Sequence, residues 1–138
     1  MKKRLLLIIA LIVLAGLGYG IYLYTLKAPV VAEGETDFRM STDELVTLYE
    51  QNEDSANRKL LNQVIEVRGA VATVAQDSSG TSIQLSSSNP VAGVNCRFDA
   101  SINEKLRRIK TGDTINVKGK CTGFLIDVNL TNCDILSN

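Results

Sequence analysis

Val64-Ile65-Glu66-Val67-Arg68-Gly69-Ala70-Val71 sets an apolar residue or glycine at every second position, and this alternation decides the fold. A period of two sends Ile65, Val67 and Val71 to one side of a β-strand and Glu66 and Arg68 to the other. Gly69 in mid-strand predicts a bulge or a sharp bend. The pattern then repeats. Residues 76–80 read as a turn, Ile83 and Leu85 as a second strand, residues 86–90 as another turn, and Val94, Cys96 and Phe98 as a third strand. A helical period follows, with Ile102, Leu106 and Ile109 on one face and Glu104, Lys105, Arg107, Arg108 and Lys110 on the other, and Gly112 stops it. Ile115, Val117, Gly119 and Cys121 form strand four. After Thr122-Gly123, Ile126, Val128 and Leu130 open strand five, where Cys133 and Ile135 fall out of phase and predict a bulge near Asn132.

Three strands, an amphipathic helix and two strands is the order of the OB-fold, a mainly β, five-stranded Greek-key barrel with its helix between strands three and four. Upstream, Ser41 and Glu44 form a Ser-x-x-Glu capping box, and Leu45, Leu48 and Tyr49 follow at helical spacing, predicting a short helix over about residues 42–52. Asn52-Glu53-Asp54 breaks it, and Ala56, Leu60 and Leu61 suggest a further turn or two. The barrel and this helix together occupy 41–138, and 28–40, with no sustained period, read as a linker.

Residues 5–26 carry no charge, directly behind Lys2, Lys3 and Arg4, and as a helix they would span about 33 Å, the thickness of a bilayer's hydrocarbon. Positions 1–27 therefore read as an N-terminal transmembrane anchor with the N-terminus inside and the domain outside, a single-pass bacterial envelope protein. Tyr19, Tyr22 and Tyr24 stand at its outer end, where an aromatic belt belongs. The rival is a cleaved signal ending at Val30-Val31-Ala32, which would leave a secreted chain, but the run exceeds the usual apolar core of about 7 to 15 residues.

Several segments resemble one family. Leu-Tyr-Glu-Gln-Asn-Glu (48–53), Val-Ile-Glu-Val-Arg-Gly (64–69), Val-Asn-Cys-Arg-Phe (94–98), Gly-Asp-Thr-Ile-Asn-Val-Lys-Gly-Lys-Cys-Thr-Gly (112–123) and Asp-Val-Asn-Leu-Thr-Asn-Cys (127–133) are similar to the tRNA-anti-like OB-fold family of small bacterial envelope proteins. The resemblance covers about residues 41–136 and implies a fold and an envelope location; the family name marks a likeness to anticodon-binding domains and specifies no activity. Many relatives resemble lipoproteins, whereas this chain has no cysteine before Cys96 to carry lipid.

The whole chain balances 15 basic against 15 acidic residues, but Lys2, Lys3, Arg4 and Lys27 belong to the anchor, so 11 face 15 over residues 28–138 and this outer part, linker included, carries −4. That sign disfavours a phosphate-backbone binder, although Lys105, Arg107, Arg108, Lys110, Lys118 and Lys120 could gather into a local basic patch. With no histidine and no tryptophan, the commonest general base and metal ligand are missing, so no catalytic residue, metal or cofactor is expected and an enzyme is a remote third class. Asp127 with Asp134, and Asp77 with Asp99, show no recognised ligand spacing. Three cysteines permit one internal disulfide at most. Cys96 with Cys133, on neighbouring strands three and five, is the favoured pair, and three buried thiols filling the core is the competing reading.

In OB-folds the usual binding face lies on strands two and three with the loops after strands one and four. Here that face offers Ser82, Gln84, Asn95, Arg97, loop 76–80 and Phe124, a polar surface poor in stacking rings. The expected function is a non-catalytic binding or interaction module with an envelope protein partner; the alternative is single-stranded nucleic acid or oligosaccharide on the same face.

Overall fold

The computed structural model describes residues 13–19, 35–100 and 103–136. Residues 13–19 are helical; the rest of the apolar run lies outside the described residues, and among those described no helix is long and apolar enough to cross a membrane. The stretch read as a linker is structured at its end, because Phe38–Ser41 forms a strand, β1, beside the barrel. It pairs in parallel with the strand that begins at Val64, Phe38 opposite Ile65 and Ser41 opposite Arg68, and sets Phe38 and Met40 against the core with Arg39 outward, an alternation too short to read as a sustained period.

Ser41 then turns the chain into α1, Thr42–Gln51, with both halves of the capping box made. The Glu44 amide donates to Ser41 Oγ at 3.2 Å and the Ser41 amide to Glu44 Oε2 at 2.7 Å, and these bonds to Ser41 hold the Glu44 carboxyl below its usual range. Asn52 acts twice at the polar break. Its amide caps α1 on the Leu48 carbonyl, and its side-chain oxygen accepts from the Ser55 amide at 2.8 Å to start α2, Glu53–Leu60.

Five strands close the barrel: β2, Val64–Asp77; β3, Gly80–Ser86; β4, Val94–Asp99; β5, Thr114–Phe124; and β6, Val128–Leu136. Around the barrel the order is β2-β3-β4-β6-β5 and back to β2, with β4 and β6 parallel and the other neighbours antiparallel. This is the OB-fold order. Closure depends on β2, which pairs with β5 through 64–70 and with β3 through 70–77, so one long strand serves both ends of the circuit. Its bulge falls between Val71 and Thr73 rather than at Gly69. At Gly69 the backbone instead makes room for a helix. A Cβ there would lie 2.0 Å from Thr42 Oγ1, so the bare Cα lets α1 start against the sheet, where Thr42 Oγ1 donates to the Arg68 carbonyl. The bulge expected near Asn132 is present. Asn132 has φ 52°, and the β5–β6 register shifts between Lys118 and Lys120, returning Cys133 to the interior.

The core follows the strand parity. Ile65, Val67, Val71, Ile83, Leu85, Val94, Cys96, Phe98, Val117, Cys121, Val128, Leu130 and Cys133 are buried, joined by Leu45, Val46, Tyr49, Ala56 and Leu60 from the two helices. The amphipathic helix expected over 102–110 is reduced to one turn, α3, Asn103–Leu106, which contributes the buried Leu106. Beyond it the Ile109 amide bonds to the Leu106 carbonyl, three residues back, and Asp113 Oδ2 captures the Lys110 amide, so the i−4 ladder is not continued. Ile102, the first residue of the expected face, lies outside the described residues.

Candidate functional site

The register of β3, β4 and β6 brings most of the expected face together. Ser82 lies opposite Arg97, Gln84 opposite Asn95, and Asn95 opposite Asn129. Outward-facing polar side chains across these strands bond in a chain: Ser82 Oγ donates to Asn95 Oδ1 at 3.1 Å, Asn95 Nδ2 to Asn129 Oδ1 at 3.3 Å, and Asn129 Nδ2 to the Asp127 carbonyl at 3.0 Å. Gln84 turns away to Asp127, donating to Oδ2 at 3.2 Å.

Beside this stripe runs a groove of about 660 Å³ between β4, β6 and the β5–β6 hairpin. Asn95, Arg97 and Phe124 line it, as expected from the sequence. Ser82 and Gln84 do not; Ser82 bonds to Asn95, which does, and Gln84 to Asp127, which does not. The wall also includes residues that strand patterning did not single out: Asn57 and Leu61 of the α2 region, Thr122, Leu125, and Asn129 with Thr131. The outward parity of β6 carries the signal for Asn129. No local signal marks Asn57 and Leu61, because they reach the groove only when the helices pack on the barrel. The Asn57 side-chain oxygen is buried there without a hydrogen-bond partner, 3.8 Å from where a Gly123 Cβ would stand.

Charge in the groove is already answered. Arg97 Nη2 lies 3.1 Å from Asp77 Oδ2 and also donates to Ser79 Oγ, so the cation is tied to the β2–β3 turn. Bonds from Ser79, then the Arg97 charge, hold the Asp77 carboxyl below its usual range. Phe124 is half-buried and stacks on Tyr49 with ring centroids 5.4 Å apart, which fixes the ring in the groove wall. Burial and the Cys121 thiol, 3.3 Å from the Tyr49 hydroxyl, push that phenol up and keep it neutral.

The basic patch does not assemble at this groove. Lys105 lies 3.7 Å from Asp134, and with Arg108, Glu104 and Ile135 it borders a separate shallow depression. Lys118 is only 6% exposed; in register it stands between Glu66 on β2 and Asp134 on β6. With Arg39 at 2.9 Å from Glu66, the outer face carries an alternating row, Arg39, Glu66, Lys118, Asp134, Lys105. Such a row balances itself and offers little to a phosphate backbone.

Cys96, Cys121 and Cys133 are buried free thiols in the structure. A hydrogen bond to Cys133, then burial, pushes the Cys96 thiol well up, away from the reactive thiolate. Among the described residues no three His, Cys, Asp or Glu side chains gather to hold a metal ion.

The strand order defines an OB-fold barrel, and the groove opens on its side. The tRNA_anti-like family model matches residues 1–135, and the chain belongs to that family. No curated protein matches it by sequence. Among solved structures it is similar to a lipoprotein of Klebsiella pneumoniae subsp. pneumoniae with a provisional nucleic-acid-binding assignment, at TM-score 0.59 and 11% identity over 72% of this chain and 92% of that one. It is also similar to part of a Leishmania major protein provisionally assigned as an aspartyl-tRNA synthetase, at TM-score 0.50 and 12% identity over 80% of this chain and 23% of that one. At such identities the likeness is one of fold.

Proposed function

We propose that the chain is a membrane-anchored, extracytoplasmic, non-catalytic binding module whose groove takes an extended segment of an envelope protein. The observation that carries this reading is the pairing of Arg97 with Asp77 in a groove otherwise walled by Leu61, Phe124, Leu125 and Leu130 and by side-chain amides and hydroxyls. Apolar walls with neutral hydrogen-bonding groups suit a polypeptide's mixed surface better than a chain of phosphates. The anchor rests on the charge-free run 5–26 behind Lys2, Lys3 and Arg4.

A second reading, single-stranded nucleic acid or oligosaccharide on the same groove, is favoured by the family and by the role provisionally assigned to the Klebsiella neighbour. A photo-crosslinking side chain at Thr122, on the groove wall, separates the two. Irradiated in intact membranes it should capture a protein, and Leu61→Asp should abolish the adduct; an adduct removed by nuclease would replace the first reading with the second. In spheroplasts external protease should remove the domain and leave an N-terminal fragment that resists alkaline wash.

A further inference from the structure

The geometry points to a second membrane contact in this chain: the tip of the β5–β6 hairpin, Leu125 and Ile126, rests in the bilayer surface beside the anchor. The inference rests on the anchored reading above. Leu125 is 87% exposed and Ile126 70%, two adjacent aliphatic side chains at the hairpin tip, the first also at the rim of the groove. Their hairpin is nevertheless held firmly. Phe124 before them stacks on Tyr49, and Asp127 after them accepts from the Gly93 amide at 2.7 Å and from Gln84 at 3.2 Å. The Val128 amide donates to the Gly93 carbonyl at 3.0 Å, which ties in the neighbouring loop and its 75% exposed Val91. A rigid apolar tip loses little freedom when it is buried.

The registers say where this tip points. Asp37, where the chain arrives from the anchor, exchanges two bonds with Val64: its amide with the Val64 carbonyl at 2.9 Å, and its Oδ2 with the Val64 amide at 2.8 Å. Val64 lies opposite Lys120, and β5 runs on from Lys120 to Phe124 and the tip. Chain arrival and hairpin tip therefore share one end of the barrel. Residues 28–37 separate the anchor run from β1, a reach of at most about 35 Å when fully extended, so that end stays within this distance of the anchor. Charge there is mixed, with Lys59 over the Phe38 ring and Glu35 and Asp37 nearby, while Leu125 and Ile126 carry none and the Asp127 carboxylate after them is held by the Gly93 amide and Gln84. The contact is thus apolar burial into the interface and needs no anionic lipid.

The sequence has no tryptophan, so one introduced indole reports its own surroundings. Full-length Leu125→Trp, Ile126→Trp and Val74→Trp variants are reconstituted in phosphatidylcholine vesicles with brominated acyl chains; Val74 lies toward the far end of β2, near the β2–β3 turn. Both tip indoles should be quenched by bromine and be at least about threefold less accessible to aqueous iodide than the Val74→Trp indole. Tip indoles as open to iodide as that control, or shielded from iodide without bromine quenching as a second copy or the groove would cause, overturn the contact. A chain that leaves the vesicles at alkaline pH overturns the anchor, and the contact with it.

Discussion

Arg97 on β4 reaches across to Asp77 at the end of β2, with Nη2 3.3 Å from Oδ1 and 3.1 Å from Oδ2, so the groove's cation is engaged before any ligand arrives. The pair also fixes the β2–β3 turn against the face it borders. Both partners are exposed, so the link is screened by salt and acts mainly on the position of the turn.

Its pH dependence has a definite sign. The folded Asp77 carboxyl sits below its ordinary value of 3.8, so the contribution is full above that value and is lost as pH falls through the lower folded one. Arg97→Ala should therefore leave thermal stability at neutral pH nearly unchanged and slightly flatten its decline in acid. Thermal melts from neutral pH down to about pH 3 check this; a large loss at pH 7 would contradict an exposed pair.

Parity of the strands predicts a second pattern. Val67→Asp, Val117→Asp or Val128→Asp buries a carboxylate in the apolar core and should cost several kcal/mol, on the order of the domain's whole stability. Arg68→Asp, on the exposed face, should be mild. Lys118 faces outward by parity yet is buried between Glu66 and Asp134, so Lys118→Asp should cost about 2 to 4 kcal/mol, far more than at Arg68. Urea titration of these variants ranks them.

Lys118 also shows where sequence reading stops. Alternation assigned the inner faces of Ile65, Val67, Val117 and Val128, and the phase slip at Cys133 located the Asn132 bulge, because both are properties of one strand. The burial of Lys118 depends on which strands flank it, and β1, the strand that brings Arg39 to Glu66, is too short at four residues to show a sustained period. The groove divides likewise: Asn95 and Arg97 are legible from β4, whereas Asn57 and Leu61 become wall residues only through helix packing. The helix over 102–110 had the right apolar spacing and lost to Asp113, whose carboxylate takes the Lys110 amide.

Cys96 and Cys133 share a hydrogen bond inside the core, and a Cβ on Gly119 would stand 2.6 Å from the Cys133 sulfur. The pair is packed too tightly for reagents to reach in the native state. Native protein should resist iodoacetamide at all three cysteines. After unfolding without reductant all three cysteines should label, because the structure holds them as free thiols, whereas Cys96 and Cys133 released only by reduction would establish the disulfide that the sequence favours. Gly119→Ala should destabilise either form by about 1 to 3 kcal/mol, and Cys133→Ala should restore part of that loss.

Nucleic-acid affinity tests the charge argument most directly. An outer part, residues 28–138, with net charge −4, a groove cation paired to Asp77 and Phe124 as the one ring among the described residues of the groove wall has little with which to displace counterions or stack bases. The full chain in nanodiscs should bind labelled single-stranded DNA or RNA no more tightly than about 10⁻⁴ M at physiological salt. Asp77→Ala frees Arg97, and if phosphate contact is limited by that pairing it should strengthen binding and steepen its salt dependence by about one counterion. The rival reading expects micromolar affinity in the native chain, falling steeply with salt and weakened by about 1 to 3 kcal/mol in Phe124→Ala and Arg97→Ala alike. Fluorescence anisotropy at two salt concentrations distinguishes them. Tight binding that both substitutions abolish would mean that Arg97 leaves Asp77 for the ligand, and the groove would then be a nucleic-acid site.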